Sequence, residues 1–349
     1  MELRMIDFPE RFNSEEELDN FISEPSDQLV DFCKSWSGPT VILGIGGKMG
    51  FHLGKMLIKA LERSGSTGEV IGVSRFSDAS ARRKIEEVGI KTVAADLMNP
   101  DETAALPEAA RVVYMVGRKF GTSGSEELTW AVNTLVPAVV CRRYAGVPMV
   151  VYSTGAVYDR VPVKSGGSVE SAPLTPVGEY ANAAVGRERI FQYMSRETAT
   201  PVCLVRLFYA IDLRYGVLRD IGEKVFTGET INIDMGYVNI IWQGDAVNQS
   251  LLAFSQCELP PRPLNVTGAE VVSIRQTAER FGELFGRTPL FSGSPAPDAL
   301  LGNTDKAQKL FGSPRFSVDE MIIRVAAWIE DGGRGLGKPT HFETRNGKY

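Results

Sequence analysis

The chain has 349 residues, 43% hydrophobic and 23% charged, enough for one large or two ordinary domains around a sizeable core. Its formal net charge is -5, with both signs scattered along the chain, so no basic face is offered to nucleic acid. No run approaches the ~18 consecutive apolar residues of a membrane span, so a membrane is not an expected partner either.

Residues 1–38 read as a helical N-terminal extension. The acidic start "MELRMIDFPERFNSEEELDNF" lacks the basic-then-apolar pattern of a signal peptide, and a cytoplasmic location is expected. "NSEEELDNFIS" carries an N-cap at Asn13 or Ser14, followed by acids that complement the helix dipole. "PSDQLVDFCKSW" repeats the device, with Leu29, Val30, Phe32 and Cys33 as its apolar side. This extension is expected to pack on the domain that follows.

From Thr40 short apolar runs alternate with helical stretches. "TVILGIG" (40–46), "EVIGVS" (69–74), "KTVAAD" (91–96), "RVVYMVG" (111–117), "PMVVYST" (148–154) and "TPVCLVRLF" (200–208) lack clean alternation, as strands buried on both faces do. Helical spacing with polar outer faces fills the gaps between them. The pattern predicts an α/β fold with a doubly wound parallel sheet over 39–210. Residues 211–349 hold looser elements, among them "ETINID" and "PLNVTG" as short strands, and predict a smaller α/β lobe that closes over the sheet's carboxyl edge.

The four cysteines lie far apart with no C-x-x-C pair, which suits a reduced protein with buried thiols. His52 and His341 are the only histidines, which argues against a metal site or a Ser-His-Asp triad.

"VILGIGGKMG" places Gly44, Gly47 and Gly50 at G-x-x-G-x-x-G spacing, after the first strand and opening a helix. The first glycine allows a tight turn and the second lets backbone amides approach a diphosphate. The third lets the helix pack closely on the strand. At the head of six strand–helix units this predicts a dinucleotide site, with the amides between Leu43 and Met49 as its grip. Lys48 lies beside the expected phosphates, where an exposed loop lysine has the same appearance.

At the end of the second strand, an acid would mark NAD through the ribose 2′-hydroxyl. Ser74 and Arg75 stand there instead and suit a 2′-phosphate, so NADP(H) is preferred over NAD(H). Asp96 and Leu97, after the third strand, are placed for the adenine; Asp96 is equally placed to cap its own loop.

Together these features resemble the extended short-chain dehydrogenase/reductase family, in its NAD(P)-dependent epimerase/dehydratase branch, over roughly residues 40–330. The resemblance rests on "GIGGKMG", "ADL" (95–97), Asn133, "VVYSTGAVYD" (150–159), the Tyr180 helix, "LVRLF" (204–208), "LNVTGAEVVSIRQTAERFGELFG" and "NTDKAQKLFG". It implies a Rossmann-type cofactor domain, a substrate cleft under the C-terminal lobe, and backbone passing the cofactor at Val116, Gly117 and Arg118. Thr154, with Ser153 beside it, matches the family's hydroxyl at the end of the fifth strand. Tyr180 matches the family tyrosine, and Glu188 the acid eight residues later.

The family's Y-x-x-x-K lysine is replaced by Ala184. A phenol, which in water titrates near ~10, needs a nearby positive charge to work at neutral pH, and alanine has none. Three accounts follow. Another cation substitutes, with Arg118, Lys119 and Arg187 as candidates; Tyr180 serves as a neutral donor; or the chemistry is lost and a cofactor-binding scaffold remains.

The sequence therefore predicts an NADP(H)-dependent oxidoreductase or epimerase-like enzyme for a carbohydrate or related hydroxy/keto compound, with Tyr180, Thr154 and Ser153 as catalytic groups. The competing reading is an impaired dinucleotide-binding protein, a sensor or partner subunit. Arg206 is expected in the cleft. The absence of an Asn near Tyr209 weakens a nucleotide-sugar substrate, and a homodimer through paired helices is expected by analogy.

Overall fold

The structure is a computed structural model and describes residues 7–119 and 121–347. The strands of its central sheet are β1 (Pro39–Leu43), β2 (Glu69–Ser74), β3 (Lys91–Ala94), β4 (Arg111–Tyr114), β5 (Met149–Thr154), β6 (Val202–Leu207) and β7 (Arg262–Val266). All pair in parallel, in the order β3-β2-β1-β4-β5-β6-β7. The six apolar runs supply β1 to β6. The seventh strand comes from "PLNVTG", beyond residue 210, and pairs with β6 from Arg262 opposite Cys203 to Val266 opposite Leu207. The C-terminal half thus returns to the central sheet. Pro263, which lacks an amide, is tolerated because β7 lies at the sheet's edge.

Helices α1 (Glu15–Ile22) and α2 (Asp27–Cys33) precede the sheet. Linking its strands are α3 (Gly50–Ser64), α4 (Ala79–Glu86), α5 (Pro100–Ala104), α6 (Glu126–Arg143) and α7 (Glu179–Glu197). Between β6 and β7 come α8 (Val217–Thr227) and α9 (Gln243–Leu252). After β7 follow α10 (Ile274–Phe285), α11 (Asp305–Phe311) and α12 (Val318–Glu330).

Alternation within the strands feeds two apolar layers. Ile42, Val113 and Val150 point to α2, α3 and α9, meeting Leu29, Cys33, Met56 and Leu251. Val41, Leu43, Val112 and Val151 point the other way, to Val136, Val140 and Phe191 of α6 and α7. Each such side chain contributes about 1.5–3 kcal/mol by leaving water. A third core joins α8, α10 and α12.

The N-terminal extension divides between these layers. Ser14 caps α1 through the Glu17 amide and Ser26 caps α2 through the Leu29 amide. While α2 lies on the sheet domain, Phe8, Phe12, Leu18 and Ile22 enter the third core beside Trp242 and Phe316. Among the described residues no helix is long and apolar enough to cross a membrane, and no cluster of His, Cys, Asp and Glu could hold a metal. All four cysteines are free thiols.

Candidate active site

In the strand order, β1 lies between β2 and β4, so its connections leave in opposite directions and open a crevice at the strands' carboxyl ends. The glycine turn fills that point. Gly44 has φ +88, and its amide donates to the Val73 carbonyl at 2.8 Å. A Cβ there would stand 3.1 Å from Val116 Cγ2 and 3.2 Å from the Met115 backbone. The Gly47 amide turns back to the Gly44 carbonyl at 3.0 Å. At Gly50 a Cβ would fall 2.2 Å from the Ile45 carbonyl oxygen, so only glycine lets α3 start this close to the turn. Met49 at the N-cap makes no side-chain capping bond; the Gly50 amide turns back to the Gly47 carbonyl at 3.1 Å, and the amides of Phe51 and His52 after it are left to a ligand. Cβ-free backbone and uncapped amides together suit an anionic diphosphate.

Ser74 ends β2 with its hydroxyl against the turn, 2.7 Å from where a Gly46 Cβ would be, and Arg75 follows it, exposed. Arg82, farther on in α4, donates to Glu86 at 2.9 Å and Thr92 at 2.8 Å. Asp96 accepts from the Met98 amide at 3.0 Å, so it does cap its own loop, while Leu97 is buried.

Beside the turn is a cavity of about 320 Å³. Thr154 from β5, Tyr180 from the first turn of α7, Lys48, Lys119 and Tyr215 line it. Thr154 Oγ accepts from the Ala156 amide at 3.2 Å, which leaves its O–H to donate. Ser153 also reaches the cavity wall, but its hydroxyl donates to Glu188 at 2.5 Å.

Behind Ser153 lies a buried network. Glu188 takes a two-pronged bond from Arg206, at 3.0 and 2.7 Å. Arg206 also donates to the Glu170 carbonyl at 2.9 Å and the Tyr158 hydroxyl at 2.6 Å. Tyr158 donates to Asn265 at 2.8 Å. Burial pushes the Tyr158 phenol up to about 12, against the pull of Arg206, so it stays a neutral donor. Arg206, expected in the cleft, is therefore a correction: it lies beneath the cavity wall and ties β6 to α7. Because β6 is buried on both faces, its sequence does not distinguish a cleft-facing arginine from a buried one.

The candidate substitute cations separate cleanly. Arg118 donates to the Gly121 carbonyl at 2.8 Å, and Arg187 to the Val116 carbonyl at 3.1 Å, pressed against Gly117. Neither lines the cavity, whereas Lys119 and Lys48 do. Ala184 is fully buried in an apolar cluster with Val157, Tyr158 and Phe208. Burial lowers the Lys119 ammonium to about 8. Desolvation also lowers Lys48, to about 7, with Asp212 pulling it back up.

Two features escaped the sequence. Lys48 does not lie along the turn; its ammonium sits 3.4 Å above the Tyr215 ring. Thr340, from the polar C-terminal tail, reaches the cavity because its amide and hydroxyl bind Asp220 at 2.8 and 2.6 Å. Neither long-range contact leaves a local pattern.

Residues 41–211 match the NAD dependent epimerase/dehydratase family. No curated protein matches the sequence. The fold is similar to that of a UDP-glucuronic acid 4-epimerase from Bacillus cereus in complex with NAD, at 16% identity over 84% of this chain and 96% of that one, TM-score 0.69. It is also similar to a UDP-Glc/GlcNAc 4-epimerase from Campylobacter jejuni, at 18% identity over 84% and 100%, TM-score 0.69. A UDP-glucose 4-epimerase from Thermotoga maritima with UDP-glucose gives 17% identity over 84% and 99%, TM-score 0.67. Residues 41–211 thus form an NAD dependent epimerase/dehydratase domain, and the chain shares the fold of these epimerase structures.

Proposed function

We propose that the protein is a nicotinamide-dinucleotide-dependent oxidoreductase or epimerase-like enzyme acting on a carbohydrate or related hydroxy/keto compound. The observation that carries this reading is the convergence of Tyr180 and Thr154 on one cavity that the glycine turn also lines. The amides of Gly46, Lys48 and Met49, which are not taken up by backbone bonds within the turn, would hold the cofactor's diphosphate. Ser74 and Arg75 favour NADP(H), although NAD is the cofactor in the complex of the Bacillus cereus epimerase. When bound, the nicotinamide accepts or returns a hydride at the substrate carbon.

The chain's own residues handle the proton. Tyr180 exchanges it at the reacting oxygen, and Thr154 donates its free O–H to the same oxygen and orients it. Lys119, in the same cavity, supplies the positive charge that Ala184 lacks. Ser153 serves indirectly, anchoring the end of β5 to Glu188. Exposed Leu128 and Leu135 on α6 and Tyr193 on α7 support a homodimer through these helices. The buried apolar setting of Ala184 supports the second reading, a dinucleotide-binding scaffold with impaired catalysis.

The test is NADH and NADPH binding by nicotinamide fluorescence, then a screen of sugars, sugar acids and polyols for absorbance change. The enzyme reading expects turnover that falls about 100-fold or more in Tyr180→Phe while cofactor binding is retained. Tight binding without turnover on any compound favours the scaffold; turnover untouched by Tyr180→Phe removes the tyrosine from the chemistry.

A further inference from the structure

Lys48 is an unusual member of a phosphate-binding turn. Its backbone belongs to the glycine loop, but its side chain crosses the crevice to the far wall. There the ammonium lies 3.4 Å above the Tyr215 ring and 3.5 Å from the Ala210 carbonyl oxygen. A ring face and one long carbonyl contact replace part of the lost hydration and none of the charge balance. Among the described residues, no carboxylate comes within salt-bridge distance of it.

The carboxylates whose fields reach Lys48 are held by other groups. Asp212 accepts from the Arg214 amide at 2.6 Å and lies 3.5 Å from the Arg214 guanidinium. Asp220 accepts from Thr340. Arg214 and Lys119 add positive charge nearby, and Tyr215 is a neutral phenol pushed up to about 12 by burial. The cavity therefore presents a half-buried cation on one wall and a second lysine within the same space. A neutral sugar would leave that charge uncompensated, whereas an anion would balance it.

Resting on the reading of this cavity as the substrate site, we propose that Lys48 anchors a negatively charged group of the substrate. The site then takes a small acidic hydroxy or keto compound bearing a carboxylate or a phosphate. The volume of about 320 Å³ is at the lower end of small-molecule sites, about 300–1,000 Å³, and the glycine turn that would hold the cofactor lines it too, so the share left to the substrate suits a small compound. The lowered ammonium adds a pH signature. Lys48 is charged below about 7 and loses its proton above it, so the preference for anions fades as pH rises unless the anion holds the proton in place.

Calorimetric titrations of the full chain, with and without NADH, test this with three probes: D-glucuronate for the carboxylate, D-glucose 6-phosphate for the phosphate and D-glucose as the neutral control. At pH 6 at least one anionic probe is expected to bind about tenfold or more tightly than glucose, with a smaller advantage at pH 9. Lys48→Met is expected to abolish the advantage while keeping NADH affinity, and Lys48→Arg to keep the advantage at both pH values. The proposal is overturned if the wild type shows no preference for either anion, or if Lys48→Met retains it. It is also overturned if Lys48→Met loses NADH affinity as steeply as probe affinity, which would assign the lysine to the cofactor's diphosphate. A wild type that prefers anions without binding NADH would uphold this assignment and refute the cofactor reading. NADH binding without anion preference would do the reverse.

Discussion

Replacing Arg206 with methionine isolates the physics of the network under the site. Glu188 and Arg206 have side chains 0% and 3% exposed, paired at 2.7 Å. The substitution keeps a side chain of moderate length but leaves the Glu188 carboxylate without its counter-charge and Tyr158 without its arginine contact. Removing one partner of a buried pair costs about 3–5 kcal/mol, because the remaining charge stays out of water. A chain of 349 residues unfolds with an entropy of about 0.7 kcal/mol/K, so the loss corresponds to a fall in Tm of about 4–7 °C. Differential scanning calorimetry reads it directly. The double variant Glu188→Leu/Arg206→Met should recover at least half of the loss, since it removes both charges together. A Tm within about 1 °C of wild type for Arg206→Met, or a double variant as unstable as the sum of the two singles, would refute this reasoning.

Other predictions follow from neighbouring groups. Burial lowers the His52 pKa against the pull of its hydrogen bond with Asp19, so the imidazole is neutral. It donates from Nε2 to Asp19 at 2.8 Å and accepts from Gln243 at Nδ1, 2.9 Å away. Burial would raise Asp19, but the bond from His52 and the charge of Arg214 outweigh it and hold the carboxyl well below the usual range. Unfolding therefore takes up protons below the free-histidine pKa of about 6.5 and again below about 4, and stability is lost as pH falls through each. The urea midpoint should drop from pH 8 to pH 5 in the wild type and less so in His52→Gln; parallel drops would contradict the assignment. Gly44→Ala puts a Cβ at φ +88 against Val116, which should cost about 1–3 kcal/mol in thermal unfolding and lower NADH affinity at least about tenfold in fluorescence titration. Leu135→Glu, at a side chain 58% exposed on α6, should convert a dimer to a monomer in sedimentation velocity without lowering cofactor affinity; a wild type already monomeric refutes the dimer.

The sheet was legible because strands buried on both faces concentrate Val, Ile and Leu into short runs, and β1 to β6 each came from one. The seventh strand was misplaced for a physical reason. "PLNVTG" carries a proline and is short, as an edge position permits, and its partner β6 lies over fifty residues away in sequence, so only tertiary pairing reveals its sheet. The glycine turn was legible because its steric demands are local: Gly44 takes a left-handed φ crowded by Val116, and Gly50 avoids a backbone clash with Ile45. The charged residues were harder to read. Arg118, Arg187 and Arg206 are long enough to reach the cavity, yet each finds carbonyl or carboxylate partners away from it. Side-chain direction depends on the nearest unpaired acceptor, which a single sequence does not display. Lys48 illustrates the same limit from the other side: the loop position was visible, the turn toward Tyr215 was not.

The central claim is that the amides of the Gly44–Gly50 turn grip a pyridine dinucleotide. Titrating the wild-type chain with NADPH and NADH, and following nicotinamide fluorescence to saturation, tests it most directly. The account predicts saturable binding of one nucleotide per chain, NADPH the tighter of the two. No saturable binding of either nucleotide would contradict it.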